Sequence, residues 1–341
     1  MNKINFGILV FIGSIGLIPA YGQDLIYSQF NAMPLGVNPA FAGNNACNYR
    51  VSAVGRSQWG GVENVKSYKS GTIAGDFNLN NIYDEKMNLW GLGLLASYDQ
   101  AGIGSFTNFN IIANLAYHAR FGMEGQNFLS FGIGLGVGNR GANIGSYTFA
   151  SELDAFGRPL PNVASGESFN TNSVFYPEMN FGALLTLNPN ENTNLYGGAS
   201  IMHLLSPNIS FSNNEYKLPM RVNFHAGANL YRGGFFLLPT VYVQYQQYTN
   251  YNVGAYVGTI LVSGHETRNP IIGYLGFWYK SSDAIVPAVR FDIGRMTVAF
   301  SYDIHVGGVS QNLRGVSSPE LSVNFYGCFG RSSKRTGCPS L

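Results

Sequence analysis

The chain has 341 residues, of which only 11% are Asp, Glu, Lys or Arg, against roughly 25% in a typical soluble domain; 43 glycines and 14% aromatics are both high. A surface so poor in charge is badly hydrated, which argues against a water-soluble globule, and a formal net charge of +2 gives no basis for a nucleic-acid partner. Mean hydropathy is only +0.02, and past residue 22 there is no apolar run of the ~18 residues that a membrane helix needs.

A chain too uncharged for water and too interrupted for helices suits a β-barrel in lipid, whose strands alternate apolar and polar side chains. Its first residues, "MNKINFGILVFIGSIGLIPAYGQ", place Lys3 before an apolar stretch from Phe6 to Ile18, with Ala20 and Gly22 as the small residues before a cut at Gln23. This predicts a secretory signal peptide over 1–22. The run is short for an anchoring helix, and no cysteine follows the cut to carry a lipid.

Residues 23–48 show no long alternation. Within them Asn38 can cap a helical turn with Pro39 at its first position and Gly43 ending it, because proline needs no donor there and glycine tolerates the reversal. Two roles stay open for this segment: sealing the lumen, or docking a periplasmic partner through Phe41.

From residue 49 the rhythm changes to a period of two. In "TNFNIIANLAYHARF" the odd positions Phe109, Ile111, Leu115 and Phe121 are oily, whereas Asn108, Asn110, Asn114, His118 and Arg120 fall on the other face. The same alternation appears in "PMRVNFHAGANLY" and "MTVAFSYDIH". Fourteen strands are predicted, near 49–59, 67–79, 88–98, 105–121, 126–140, 173–188, 192–205, 218–231, 235–248, 251–262, 269–280, 284–293, 295–305 and 318–328. The expected fold is an all-β, transmembrane, antiparallel up-and-down barrel over 49–328.

Loop lengths orient it. The tight turns "GMEGQ", "NPNEN", "RGG" and "GR" share one side and read as periplasmic, while 141–172, 206–217 and 306–317 read as extracellular loops. A short outer turn is expected near Asn250. Trp59, Trp90 and Trp278 lie near strand ends, where an aromatic girdle sits. A lumen of fourteen strands is intermediate between a filled interior and an open porin, so the N-terminal segment can plug it.

Little reads as chemistry. "GVGNRG" matches a dinucleotide pattern at Gly136 to Gly141, but it lies at a strand end and opens no helix. His118, His203, His225, His265 and His305 lack metal spacing, so no metal or cofactor is expected. The inward-facing Arg56, His118, Arg120, Arg140, Arg221, His225, Asp303 and His305 are predicted to form a structural network in the lumen, and no nucleophile is selected for catalysis.

"SQFNAMPLGVNPAFAG" followed by "GRSQW", then "LSFGIGLGVG", "YPEMNFGALL", "NLYGGASIMHLL", "AFSYDIHVGG" and "PELSVNFY", resembles the PorP/SprF family of outer-membrane proteins from the type IX secretion and gliding apparatus of Bacteroidetes. The likeness implies a fourteen-stranded barrel in outer-membrane lipid that works with type IX components in the periplasm and with a secreted cell-surface adhesin. One departure is the final "GCFGRSSKRTGCPSL", a basic tail over 329–341 with Arg331, Lys334 and Arg335. Barrel closure sets Cys328 beside Cys47, making them candidates for a disulfide in an oxidising compartment, with Cys338 left over or competing. The leading expectation is a non-enzymatic barrel that supports secretion or adhesin attachment. The alternative is a solute-conducting porin, for which the inward arginines would suit anions.

Overall fold

The computed structural model describes residues 24–45, 47–60, 67–80, 88–102, 105–122, 125–160, 163–263, 270–281, 284–306 and 317–328. The expected leader over 1–22 and tail over 329–341, with His265 and Cys338, lie outside them.

Fourteen antiparallel strands close into one barrel in which each strand bonds to its sequence neighbours. They are β1 (Tyr49–Gln58), β2 (Tyr68–Asn78), β3 (Leu89–Ala101), β4 (Phe106–Phe121), β5 (Asn127–Gly141), β6 (Ser173–Asn190), β7 (Thr193–Met202), β8 (Arg221–Arg232), β9 (Phe235–Gln246), β10 (Tyr248–Val262), β11 (Ile271–Lys280), β12 (Ala284–Ile293), β13 (Met296–His305) and β14 (Ser317–Gly327). The seam between β1 and β14 pairs Tyr49 with Gly327 at one end and Arg56 with Glu320 at the other. Closure is what lipid demands, since an open sheet edge would leave N–H and C=O groups in hydrocarbon without partners.

The period of two decides which side chain meets which medium. On β4, Phe109, Ile111, Leu115 and Phe121 are exposed on the outer wall while Asn114, Ala116 and His118 are buried inside. Leu275 on β11, 72% exposed, lies mid-belt beside Phe277. Among the described residues, no helix is long and apolar enough to cross a membrane.

Both ends of the barrel chain lie at one rim, which carries the short connections at 122–126, 191–192, 233–234 and 294–295. The opposite rim carries 142–172 and 203–220. The second of these is longer than the expected 206–217, because β7 stops at Met202 and His203 takes a left-handed φ of 56°. The turn expected near Asn250 is centred instead on Gln247, with φ 64°, and Asn250 pairs with Gln244 inside the ladder. The pairing of β8 with β9 skips Pro239, and that of β12 with β13 skips Pro287, since proline has no N–H to donate.

Trp278 corrects an expectation. Its indole faces the lumen, donates to Thr240 Oγ1 at 3.1 Å and packs edge-on to Tyr256, so it forms no part of a girdle. Trp90 does present an exposed ring beside Tyr117 on the outer wall. Trp59 is half-buried after β1, against Tyr68.

Candidate functional site

The interior of the barrel is occupied by the protein's own residues 24–45. Three single 3-10 turns, Phe30–Ala32, Pro34–Gly36 and Pro39–Phe41, fold this stretch, and Pro34 and Pro39 open two of them with no donor to waste. Asn38 caps the last turn by accepting from the Ala40 N–H at 2.9 Å, and Gly43 reverses the chain with φ 71°. Met33, Leu35, Ala40, Phe41 and Ala42 pack in one cluster with Val54, Ala74, Leu95, Ala116, Leu184 and Tyr196 of the wall. The backbone of the segment sits directly on wall glycines. A Cβ at Gly132 would lie 2.4 Å from Ala40 N, and one at Gly91 would lie 1.9 Å from Ala42 O.

Irregular backbone away from water must find partners. Here the wall supplies them. The N–H groups of Ser28 and Gln29 donate to Glu320 at 2.9 and 2.7 Å, and that of Gly43 donates to Asp76 at 2.9 Å. The carbonyl of Ile26 accepts from Arg56 at 2.7 Å and that of Ala42 from His118 Nε2 at 2.8 Å. The Val37 carbonyl accepts from Ser200 Oγ at 2.6 Å and from Asn223 Nδ2 at 3.1 Å.

Ion pairs stand around the segment at three levels, and the first of them includes its own Asp24. At the long-loop rim Asp24 Oδ2 meets His203 Nε2 at 2.5 Å and Arg221 at 3.3 Å, with Arg140 3.6 Å from Oδ1. His203 Nδ1 meets Glu178 at 2.8 Å. Burial opposes ionisation of both partners; the pairing outweighs it, holding the Asp24 carboxyl below the usual range and pushing His203 up to about 9 through Asp24 and Glu178. At mid-level Asp303 receives Arg56 at 2.9 Å, Lys280 at 3.0 Å and the Ser28 hydroxyl at 2.5 Å, and Glu320 lies 3.8 Å from Arg56. Near the short-turn rim Arg50 pairs with Asp76 at 2.9 Å.

The remainder of the lumen, beside β9–β12, is filled by Phe236, Tyr256, Tyr274, Trp278 and Val286, with Arg290 stacked over Tyr274 at 5.0 Å. Beside the segment is a cavity of about 110 Å3 lined by Tyr27, Leu35, Asp99, Asn108, Glu178 and Asn180 among others.

The inward residues singled out from sequence fall in separate places. Arg56 and Asp303 share the mid-level cluster, whereas Arg140 and Arg221 share the cluster at Asp24. His118 bridges Ala42 and Ser130, and His225 lies 3.1 Å from Asn38 Nδ2 with its ring against Phe41. Arg120 stands apart at the short-turn rim, donating to the Gly125 carbonyl and covering Phe128. His305 ends β13, half-buried. Phe41 is enclosed by Tyr196 and His225, so it offers no surface to a periplasmic protein. Cys47 is disulfide-bonded to Cys328, beside the seam of β1 and β14.

Sequence reading missed Asp24, Asp76, Glu178, Lys280 and Glu320, which carry much of this charge. Strand parity could have flagged the last four, since each shares a face with buried neighbours; Asp24 lies in no strand. Among the described residues no group of three or more His, Cys, Asp or Glu could hold a metal ion. Glu320, Asp76 and His118 hold backbone groups of the segment, and His203 pairs with Asp24 and Glu178, an arrangement that fixes a segment in place.

The sequence matches the family model described as "Type IX secretion system membrane protein PorP/SprF" over residues 20–325. No curated protein matches it. Solved structures with a similar outline include the "TodX deltaS2S3 mutant monoaromatic hydrocarbon channel", at 9% identity and TM-score 0.44, covering 85% of this chain and 92% of that one. The P. putida toluene transporter TodX gives 11% identity and TM-score 0.40 over 84% and 90%. CdiB from Acinetobacter baumannii gives 12% and 0.39 over 82% and 59%.

Proposed function

The chain belongs to the type IX secretion system membrane protein PorP/SprF family, and on that premise we propose that it is a plugged, non-enzymatic outer-membrane barrel that holds an exported adhesin and docks periplasmic machinery. Residues 1–22 act as the export leader. The short-turn rim faces the periplasm and the long loops face outward, as is general for such barrels. Segment 24–45 acts as a resident plug, and the secretion or gliding components dock at the periplasmic rim and on the basic tail 329–341. The adhesin is held by loops 142–172 and 203–220, which brace each other through Asn170 N–H donating to the Phe211 carbonyl at 2.9 Å. Exposed Tyr147, Phe156, Leu160 and Phe169 give the longer loop an apolar contact surface.

The observation that carries this reading is how the lumenal polar groups are used. A conducting pore keeps charged side chains free to face water and solute, whereas here Glu320, Asp76, Arg56 and His118 are committed to the backbone of the plug. Planar-bilayer recording tests it: the full chain is expected to pass no steady current, and a chain lacking 24–45 a large one. A steady current through the intact barrel would overturn it in favour of a solute channel. Co-purification from native membranes tests the partners, and recovery of the barrel with neither an exported adhesin nor a periplasmic component would dismiss that half.

A further inference from the structure

The N-terminal end of the segment does not merely touch the wall; it sits where both long loops are rooted. Arg140 is the penultimate residue of β5, just before loop 142–172 leaves the barrel. His203 opens loop 203–220 and Arg221 follows its last residue. All three converge on the Asp24 carboxylate. Gln246, the last residue of β9, adds a fourth contact: its Oε1 accepts from the Asp24 N–H at 3.1 Å, and its Nε2 donates to Asp24 Oδ2 at 3.1 Å and to the Pro219 carbonyl at 3.2 Å. Glu178 on β6 completes the ring by holding the other nitrogen of His203.

Three positive groups gather at this buried carboxylate, and Glu178 is paired with only one of them, so without Asp24 the two arginines repel each other and the bases of the loops have no equivalent arrangement. At the opposite end the same segment is tied to the short-turn rim, where the Gly43 N–H and Asn45 Nδ2 donate to Asp76 and Cys47 is bonded to Cys328. Between these ends the hydrogen bonds at Ser28, Gln29, Val37 and Ala42 leave little slack.

We infer that segment 24–45 is a strut linking the outer loops to the periplasmic end of the barrel, so that occupation of the loops by an exported protein and seating of the segment stabilise each other. Linkage of this kind is reciprocal: whatever fixes the loops in the arrangement that grips Asp24 tightens the segment, and whatever withdraws the segment loosens the loops. The inference rests on the proposed role of the loops as the adhesin-holding surface.

Hydrogen exchange followed by mass spectrometry on the purified full-length barrel tests it without any partner. In Asp24→Ala, amides in 142–147, 168–172 and 203–220 should exchange about tenfold faster than in wild type. Both variants keep the backbone bond to Gln246, but Asp24→Asn also keeps a side-chain oxygen to accept from Gln246 Nε2 while removing the charge, so it should give a smaller increase in the same segments. Heat-modifiable migration on gels verifies that each variant is a folded barrel, and the conservative variant serves if the alanine variant is not. Exchange unchanged in either loop of a folded variant overturns the strut. The adhesin reading fails by a different result, the absence of an exported protein on co-purification, which loop exchange cannot mimic.

Discussion

His203 gains its proton from folding, which brings the carboxylates of Asp24 and Glu178 to its two nitrogens. Its value rises from 6.5 to about 9, so the sign is that of a raised base: the stabilisation is complete below pH 6.5 and disappears as pH climbs through about 9. The difference is on the order of 3 kcal/mol. Thermal unfolding should therefore fall between pH 7 and pH 10 in wild type and fall less in His203→Gln; equal slopes would assign the loss to other groups. Parity made Asn114 and His118 legible as inward residues, because each strand residue faces one of two media. It also contained the information that Trp278 faces inward, and the expectation of a girdle overrode it. Asp24 carries no such signal, since residues outside a strand have no period to read.

Segment and wall meet through backbone on backbone, so the smallest side chain on the wall is decisive. Gly132→Val would place a Cβ within 2.6 Å of Ala40 Cα and closer still to Ala40 N and Pro39 C. Strand backbone cannot give way without breaking ladder bonds to β4 and β6, so the segment is expected to yield, at about 1–3 kcal/mol or more. The measurable result is intermittent current through a barrel that is silent in wild type. Gly55→Ala, where nothing lies within 4 Å, should stay silent. Current equal in the two variants would mean that the segment is not seated on Gly132. Strand existence was readable over nearly every element, and only ends moved, as at β7, where a left-handed His203 stops the ladder before the apolar pattern runs out. The capped turn at Asn38 was readable too, because it depends on neighbours in sequence.

At the scale of the molecule two solvents are separated by one strand thickness. Leu275 faces hydrocarbon and Tyr274 faces the packed lumen. Leu275→Arg should cost about 2–4 kcal/mol near the middle of the bilayer, read as a lower urea midpoint for the barrel refolded in lipid vesicles. In detergent micelles, which deform around the charge, the loss should be much smaller. Equal losses in both would contradict a wall facing a bilayer at that position.

The sequence by itself determined the barrel, its strand number, its lipid face and the irregular character of residues 24–45, because a period of two and the scarcity of charge are properties of consecutive residues. It also carried enough ordered motifs to point to the family. What only the tertiary structure decided is how that lumen is used: which acid meets which base, that the glycines of β3 and β5 form a seat for Ala40 and Ala42, and that Asp24 reaches the roots of both outer loops. Those partners lie more than a hundred residues apart in the chain, from Asp24 to Arg140, His203 and Arg221, and only closure of the cylinder brings them within ion-pairing range.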